Sequence, residues 1–167
     1  MTRRGFAQLM SMLGIGATAG ATTAGSGTAH AASTPTRADR VVLTDAEWRK
    51  RLSPAAYQVL RQEGTERAGS SPLNDEKRPG TYHCAGCDLP LFAHTTKFDS
   101  GTGWPSFWAP LPDALGTSTD YKLILPRVEY HCARCGGHQG HVFDDGPRPT
   151  GKRYCNNGVA LRFAPSA

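Results

Sequence analysis

No stretch of this chain is apolar over the ~20 residues that a bilayer-spanning helix requires. Its one weakly apolar run, Phe6 to Ala24, is broken throughout by Gly and Thr, so stable membrane insertion is not expected. A basic stripe is missing too. The formal charge is +5, but the lysines and arginines are scattered. No aromatic platform is interleaved with them of the kind that tracks a phosphate backbone, which argues against a nucleic-acid partner. Acid is absent from residues 1–31. Cysteine is sparse and unevenly divided. Cys84/Cys87 and Cys132/Cys135 form two CxxC pairs, while Cys155 has no thiol nearby.

Residues 1–31 read as an export leader and are set aside from the fold. Arg3 and Arg4 form a positive start, the run to Ala24 follows, and Ala29-His30-Ala31 is a small-x-small cleavage site. TRRGF resembles the twin-arginine export signature, so a periplasmic or extracellular location is expected. Removing the leader leaves 136 of 167 residues and lowers the charge to +3. That length suits one domain burying about two-thirds of its unfolded surface. Residues 32–40, small and Pro-containing, read as a flexible linker. Residues 41–164 are the expected domain, and a monomer is expected.

The paired thiols admit two readings, because an exported chain also favours disulfides. A CxxC can be a redox pair, and two can cross-link. The settings YHCAGCDLPLF and YHCARCGGHQG favour one structural zinc ion instead, held tetrahedrally by Cys84, Cys87, Cys132 and Cys135. Each has a short turn, with Gly86 inside the first and Gly136 just after the second. Four bound thiolates would bring the net charge to about +1. Such an ion has no position open to water, which excludes a zinc hydrolase. No organic cofactor is indicated.

Thr44-Asp45-Ala46-Glu47 matches a capping box, starting a helix at Asp45 that carries Trp48 inward. Ser53-Pro54 starts a second helix, with Tyr57 and Leu60 on one face and Gly64 as terminator. The polar run from Ala68 to Gly80 reads as an extended loop over the domain. Short β-like runs follow: TYHC, LPLFAH, YKLILP, VEYHC, HVFDD and VALRFAP. Tyr121 to Leu125 and Arg127 to Tyr130 read as strands around a bend at Pro126. The expected fold is mainly β, with antiparallel β-sheets, short N-terminal helices and a four-cysteine zinc site.

In FDSGTGWPSFWAP, Gly101 and Gly103 permit a tight path and Pro105 restrains it. A rigid turn of this kind is a costly way merely to bury an indole, so Trp104 is placed in a binding pocket. Phe107 and Trp108 read mainly as core. Cys155 needs help to ionise, since a free thiol titrates near 8.5. Arg153 lies two residues earlier, on the same strand face, and its guanidinium is expected to favour thiolate. Asn157 lies on that face again and can orient the nucleophile or a substrate. A lone buried cysteine is more often than not an inert small hydrophobe, so the pattern alone does not decide. His138 and His141, joined by Gln139-Gly140, can turn into one cleft. They are open to three roles: zinc ligand, proton donor or core residue. Asp145 is an expected charge partner, and Asp144 is expected to face elsewhere.

Once these residues are assembled, the chain resembles the peptide methionine-R-sulfoxide reductases of the MsrB type, over Val41 to Phe163. KFDSGTGWPSF, CARCGGHQGHVFDDGPRPTGKRYCNNGVALRF and both CxxC pairs carry the resemblance. It implies antiparallel β-sheets with helices outside and one zinc held by Cys84, Cys87, Cys132 and Cys135. It makes Cys155 the catalytic nucleophile and His138 and His141 the groups that address the sulfoxide oxygen. Trp104 becomes the indole that contains the substrate methyl, with Asp145, Arg153 and Asn157 in support. The implied reaction turns Cys155 into a sulfenic acid as methionine-R-sulfoxide, chiefly in peptides or proteins, becomes methionine.

Three positions depart from the family pattern. Gly158 stands for a usual serine, with the expected loss of a hydrogen bond. Gln139 stands for a usual leucine, with altered packing expected between the histidines. Thr102 stands where many members have a resolving cysteine. An external thiol reductant, such as a thioredoxin-like protein, is therefore expected to recycle Cys155 directly. The rival reading is a noncatalytic zinc-stapled β-domain that binds a small or modified side chain, which leaves Cys155 unexplained.

Overall fold

The computed structural model describes residues 37–122 and 125–166. The expected leader, and the linker up to residue 36, lie outside them. Described chain from the other end of that linker is tied down: Arg37 donates to the Asp113 carbonyl, and Arg134 holds Asp39 at 2.8 Å. These contacts tie Arg37 and Asp39 to the domain.

Both helices begin where their caps require. In α1, Asp45–Arg51, the Thr44 hydroxyl and the Glu47 carboxylate cap each other's backbone, and Trp48 is buried. Such caps are worth about 1 kcal/mol. Ser53 caps α2, Pro54–Gln62, which buries Ala56, Tyr57, Val59 and Leu60 on one side. The expected terminator is displaced by one residue. Glu63, not Gly64, takes the left-handed conformation, at φ 53°. No helix among the described residues is long and apolar enough to cross a membrane.

The rest is antiparallel β-structure in two sheets. In the first, β1 (Gly80–Cys84) lies between β2 (Pro90–Ala93) and β9 (Leu161–Pro165). The second contains β3 (Lys97–Phe98), β4 (Ser106–Phe107), β5 (Leu115–Asp120), β6 (Arg127–Cys132), β7 (His138–Phe143) and β8 (Arg153–Asn156). Its order is β3-β4-β8-β7-β6-β5. Aromatic side chains fill the space between the sheets. Phe92 stacks on Phe107 at 4.2 Å, Tyr82 meets Phe107 edge-on at 4.9 Å, and Tyr130 meets Tyr154 at 5.4 Å. Each such pair adds about 0.5–1.5 kcal/mol beyond the area it buries.

One expected strand is misplaced. Tyr121 to Leu125 was the apolar candidate, yet the strand is the polar LGTSTD preceding it. Tyr121 and Leu125 are exposed at the connection, and Leu123 and Ile124 lie outside the described residues. As the edge of its sheet, β5 pairs with β6 on one side only, and its backbone bonds to β6 hold it without an apolar face. The polar loop after α2 runs over the domain as expected, with one 3-10 turn at Pro72–Asn74.

Candidate active site

Two sulfur environments separate cleanly. The first is built by two turns with the same backbone bonding. The Cys84 carbonyl accepts from Asp88 and its N–H donates to Leu89; the Cys132 carbonyl accepts from Gly136 and its N–H donates to Gly137. The left-handed residue is Asp88 in one turn and Gly136 in the other, at φ 65° and 67°. Gly86, inside the first turn, does not take that conformation. The four buried sulfurs lie within 4.8 Å of one another. Cys84 and Cys135 sulfurs are 3.6 Å apart, and Cys87 and Cys132 sulfurs 3.4 Å. A tetrahedron with Zn–S bonds of about 2.3 Å has edges of about 3.8 Å, so the donor set fits a zinc ion, whereas a disulfide needs about 2.05 Å. This is a structural zinc site. Arg61 braces it from α2, donating to the Cys135 carbonyl at 3.1 Å while stacking on Trp48.

The second environment is a cleft of about 130 Å³ beside Cys155, with walls from Trp104, His141, Phe143, Arg127 and Asn157. In the ladder Cys155 faces His141 on β7 and Ser106 on β4. Residues directly opposite in an antiparallel pair hold their Cβ atoms about 4.5–5.5 Å apart on one face. Gly140 makes this closeness possible: a methyl group there would lie 1.9 Å from the Cys155 carbonyl oxygen. The loop after α2 forms the near wall. Trp104 donates from Nε1 to the Glu66 carbonyl at 3.2 Å, and the Glu66 carboxylate accepts the backbone N–H groups of Gly158 and Val159. Gly103 lets the Trp104 turn approach that loop, with φ 87° and the Gly69 amide bonded to its carbonyl.

The histidines are brought together by a device absent from the expectation. Tyr130 pairs with Gly140 while His131 pairs with His138, so Gln139 is an extra residue, a β-bulge. Adding one residue resets the alternation, and rings three positions apart meet at 5.5 Å. Only His141 reaches the cleft. His138 is 3% exposed, its Nδ1 bonded to Glu129 at 2.8 Å, and its Nε2 has no partner among the described residues. Asn157 clamps the bulge, donating to the Gln139 carbonyl from both its backbone N–H and Nδ2. Its side-chain oxygen accepts from the Glu66 N–H. Asn157 thus supports the backbone of the site.

Arg153 favours the Cys155 thiolate as expected, and Asp145 is its charge partner. It grips Asp145 with two bonds of 2.8 Å and stacks over Phe143 at 4.3 Å. Burial pushes the Cys155 thiol up from its ordinary range; the Arg153 charge and a hydrogen bond from the Thr102 hydroxyl pull the other way but do not prevail. Cys155 therefore rests as a thiol. Burial also pushes His141 down, aided by Arg127 and His138 and opposed by Asp120, so its ring is neutral at pH 7. Asp144, as expected, faces elsewhere and pairs with Lys152. Phe107 is core, fully buried.

The SelR domain profile matches residues 52–165. The chain belongs to the MsrB family of peptide methionine sulfoxide reductases. A protein named peptide methionine sulfoxide reductase MsrB, from Pseudomonas putida W619, is 57% identical over 120 residues, covering 71% of this chain and 90% of the relative. The chloroplastic peptide methionine sulfoxide reductase B1 of Oryza sativa is 56% identical over 122 residues, or 72% of this chain. The mitochondrial methionine-R-sulfoxide reductase B3 of Mus musculus is 48% identical over 128 residues, or 76%. The chain spans 57% of the rice relative and 60% of its Arabidopsis thaliana counterpart.

The departures from the MsrB pattern acquire physical content here. Gly158 does not leave a gap. A Cβ at that position would lie 1.9 Å from the Ser71 hydroxyl oxygen and 2.4 Å from its Cβ, so Ser71 fills the space. Gln139 does not pack between the histidines either. The bulge turns it to the opposite side, fully buried, where Nε2 donates to the Cys84 sulfur at 3.4 Å and Oε1 accepts from Asn156 at 3.3 Å. Sequence reasoning missed Asp120, Glu129, Glu66 and Arg127. A signal for two of them was present: in strand RVEYHC, Arg127, Glu129 and His131 share one face, an ionisable row on a strand entering the core.

Proposed function

We propose that this protein reduces methionine-R-sulfoxide, chiefly within peptides or proteins, to methionine, with Cys155 as nucleophile. The reading is carried by the placement of Cys155 opposite His141 in a cleft walled by Trp104, while the other four sulfurs are gathered elsewhere. Membership of the MsrB family and the R-sulfoxide name of the mouse relative support the epimer.

The resting protonation states suggest how a single proton serves the reaction. The Cys155 sulfur, freed of its proton by His141, attacks the sulfoxide sulfur. The imidazolium so formed gives that proton to the oxygen, and the S–O bond breaks as oxygen passes to Cys155. Methionine leaves, and Cys155 is a sulfenic acid. The sulfoxide is reduced by two electrons, which Cys155 supplies. Trp104 and Phe143 offer apolar surface for the S-methyl and keep water from the sulfur. A zinc ion held by Cys84, Cys87, Cys132 and Cys135 would keep the two turns in register, apart from these steps.

No cysteine lines the cleft besides Cys155. An external thiol, thioredoxin-like or small, therefore attacks the sulfenic acid, and a second equivalent releases the mixed disulfide. A stereospecific assay on peptide and free sulfoxide tests the activity: R-sulfoxide is consumed by wild type and at least about 10³-fold more slowly by Cys155→Ser, with zinc content unchanged. Equal turnover by that variant would remove Cys155 as nucleophile. Mass spectrometry of substrate-oxidised protein tests the cycle, since an internal disulfide from Cys155 to any zinc cysteine would refute it. The Arg3-Arg4 start and Ala29-His30-Ala31 lead us to place the protein outside the cytoplasm by the twin-arginine route. Secreted protein beginning at Ala32 is the expected product.

A further inference from the structure

We infer that Asp120 and Glu129, on the paired strands β5 and β6, are positioning residues that hold His141 and His138 in opposite tautomers. The inference rests on the functional reading above and adds to it which ring nitrogen is basic. Glu129 is 8% exposed and accepts on both oxygens: from His138 Nδ1 at 2.8 Å on one, and from the Ser118 hydroxyl at 2.6 Å and His131 Nδ1 at 3.1 Å on the other. Asp120 accepts from the Lys122 backbone at 2.8 Å, from His141 Nε2 at 2.7 Å and from Arg127 at 2.7 Å.

An ionised carboxylate accepts and cannot donate. His138 therefore carries its proton on Nδ1, and His141 on Nε2. The nitrogen left on His141 to receive the Cys155 proton is Nδ1. Both carboxylates stay ionised. For Glu129, burial opposes the charge but the bonds from His131, His138 and Ser118 overcome it. For Asp120 the Lys122 N–H and His141 act together with Arg127. Such pairing is a poor way to gain stability, because apolar residues of similar size often serve as well or better in a buried setting. It is an effective way to fix a ring, since a histidine's tautomer is set by the bond its other nitrogen makes.

Long-range proton–nitrogen correlation spectra of the isotope-labelled, zinc-loaded protein read the tautomers directly. The expected wild-type spectrum shows His138 protonated at Nδ1 and His141 at Nε2. Asp120→Ala is expected to mix the two His141 forms and to lower kcat on the order of ten- to a hundredfold, with KM little changed. Asp120→Asn, whose carbonyl still accepts from Nε2, should restore the tautomer and part of kcat. The proposal is overturned if either wild-type ring carries its proton on the other nitrogen. It is equally overturned if folded Asp120→Ala keeps both the wild-type tautomer and kcat. The wild-type spectrum decides even where a variant does not fold. It is also independent of turnover, so a wild type inactive on R-sulfoxide would remove the functional reading without touching the tautomers.

Discussion

Cys84 and Cys132 sit in turns that repeat each other's backbone bonds, whereas Cys155 sits in a plain strand whose neighbours come from β4, β7 and the loop after α2. In the zinc site, ligand geometry is made within a few residues of each thiol, and the ion joins two such local solutions. In the cleft nothing is local. A bulge in one strand, a carboxylate on the next and a loop some ninety residues distant in sequence (Glu66 against Gly158) define the setting of one sulfur. The first arrangement stabilises the domain; the second keeps one sulfur protonated.

The largest effect separating the two regions is expected on removing the metal. Structural zinc contributes an apparent ~10–16 kcal/mol, comparable with the whole stability of a small domain at about 5–15 kcal/mol. Cys132→Ser, or chelation of wild type, should abolish cooperative thermal unfolding followed by circular dichroism. A melt retained within a few degrees would show that the sheets do not need the ion.

Next in size is the reactivity of the cleft sulfur. Burial raises the Cys155 pKa, so its thiolate fraction is small at pH 7 and grows about tenfold per pH unit until the raised value is passed. Alkylation of Cys155 in zinc-loaded protein should be slow at neutral pH and still accelerating above about 8.5, the ordinary thiol value. Arg153→Met removes a lowering influence and should move the profile further up. Half-reaction below pH 7 would break the contrast between a resting thiol and bound thiolates. The smallest effect tests the wall of the cleft. Gly158→Ser drives a side chain into Ser71 and should cost about 1–3 kcal/mol in denaturant unfolding. Most of that should return in the Ser71→Gly double variant, and a neutral single variant would show the contact to be slack.

Much of this was legible before folding. The capping box at Thr44, the Ser53-Pro54 start and the two CxxC turns are written in adjacent residues and formed as read. Trp104 lay in a turn whose glycines announced a close approach. The bulge at Gln139 was not legible, because an inserted residue shows only when the partner strand is counted against it. Hence Gln139 was assigned to the wrong side. The strand at Leu115–Asp120 carries polar residues on an edge, where hydrophobic pattern gives no signal, and so Asp120 went unseen.

The amino-acid sequence by itself determined the sulfur chemistry: four thiols at metal-binding spacing, a fifth without a mate, and an indole in a tight turn. It also determined the local turns that carry them, since caps, glycines and CxxC geometry act over a few bonds. Only the tertiary structure decided which histidine meets Cys155, which carboxylates orient the rings and whether the thiol rests protonated. Those outcomes depend on register and burial, and both are sums over strands far apart in the chain.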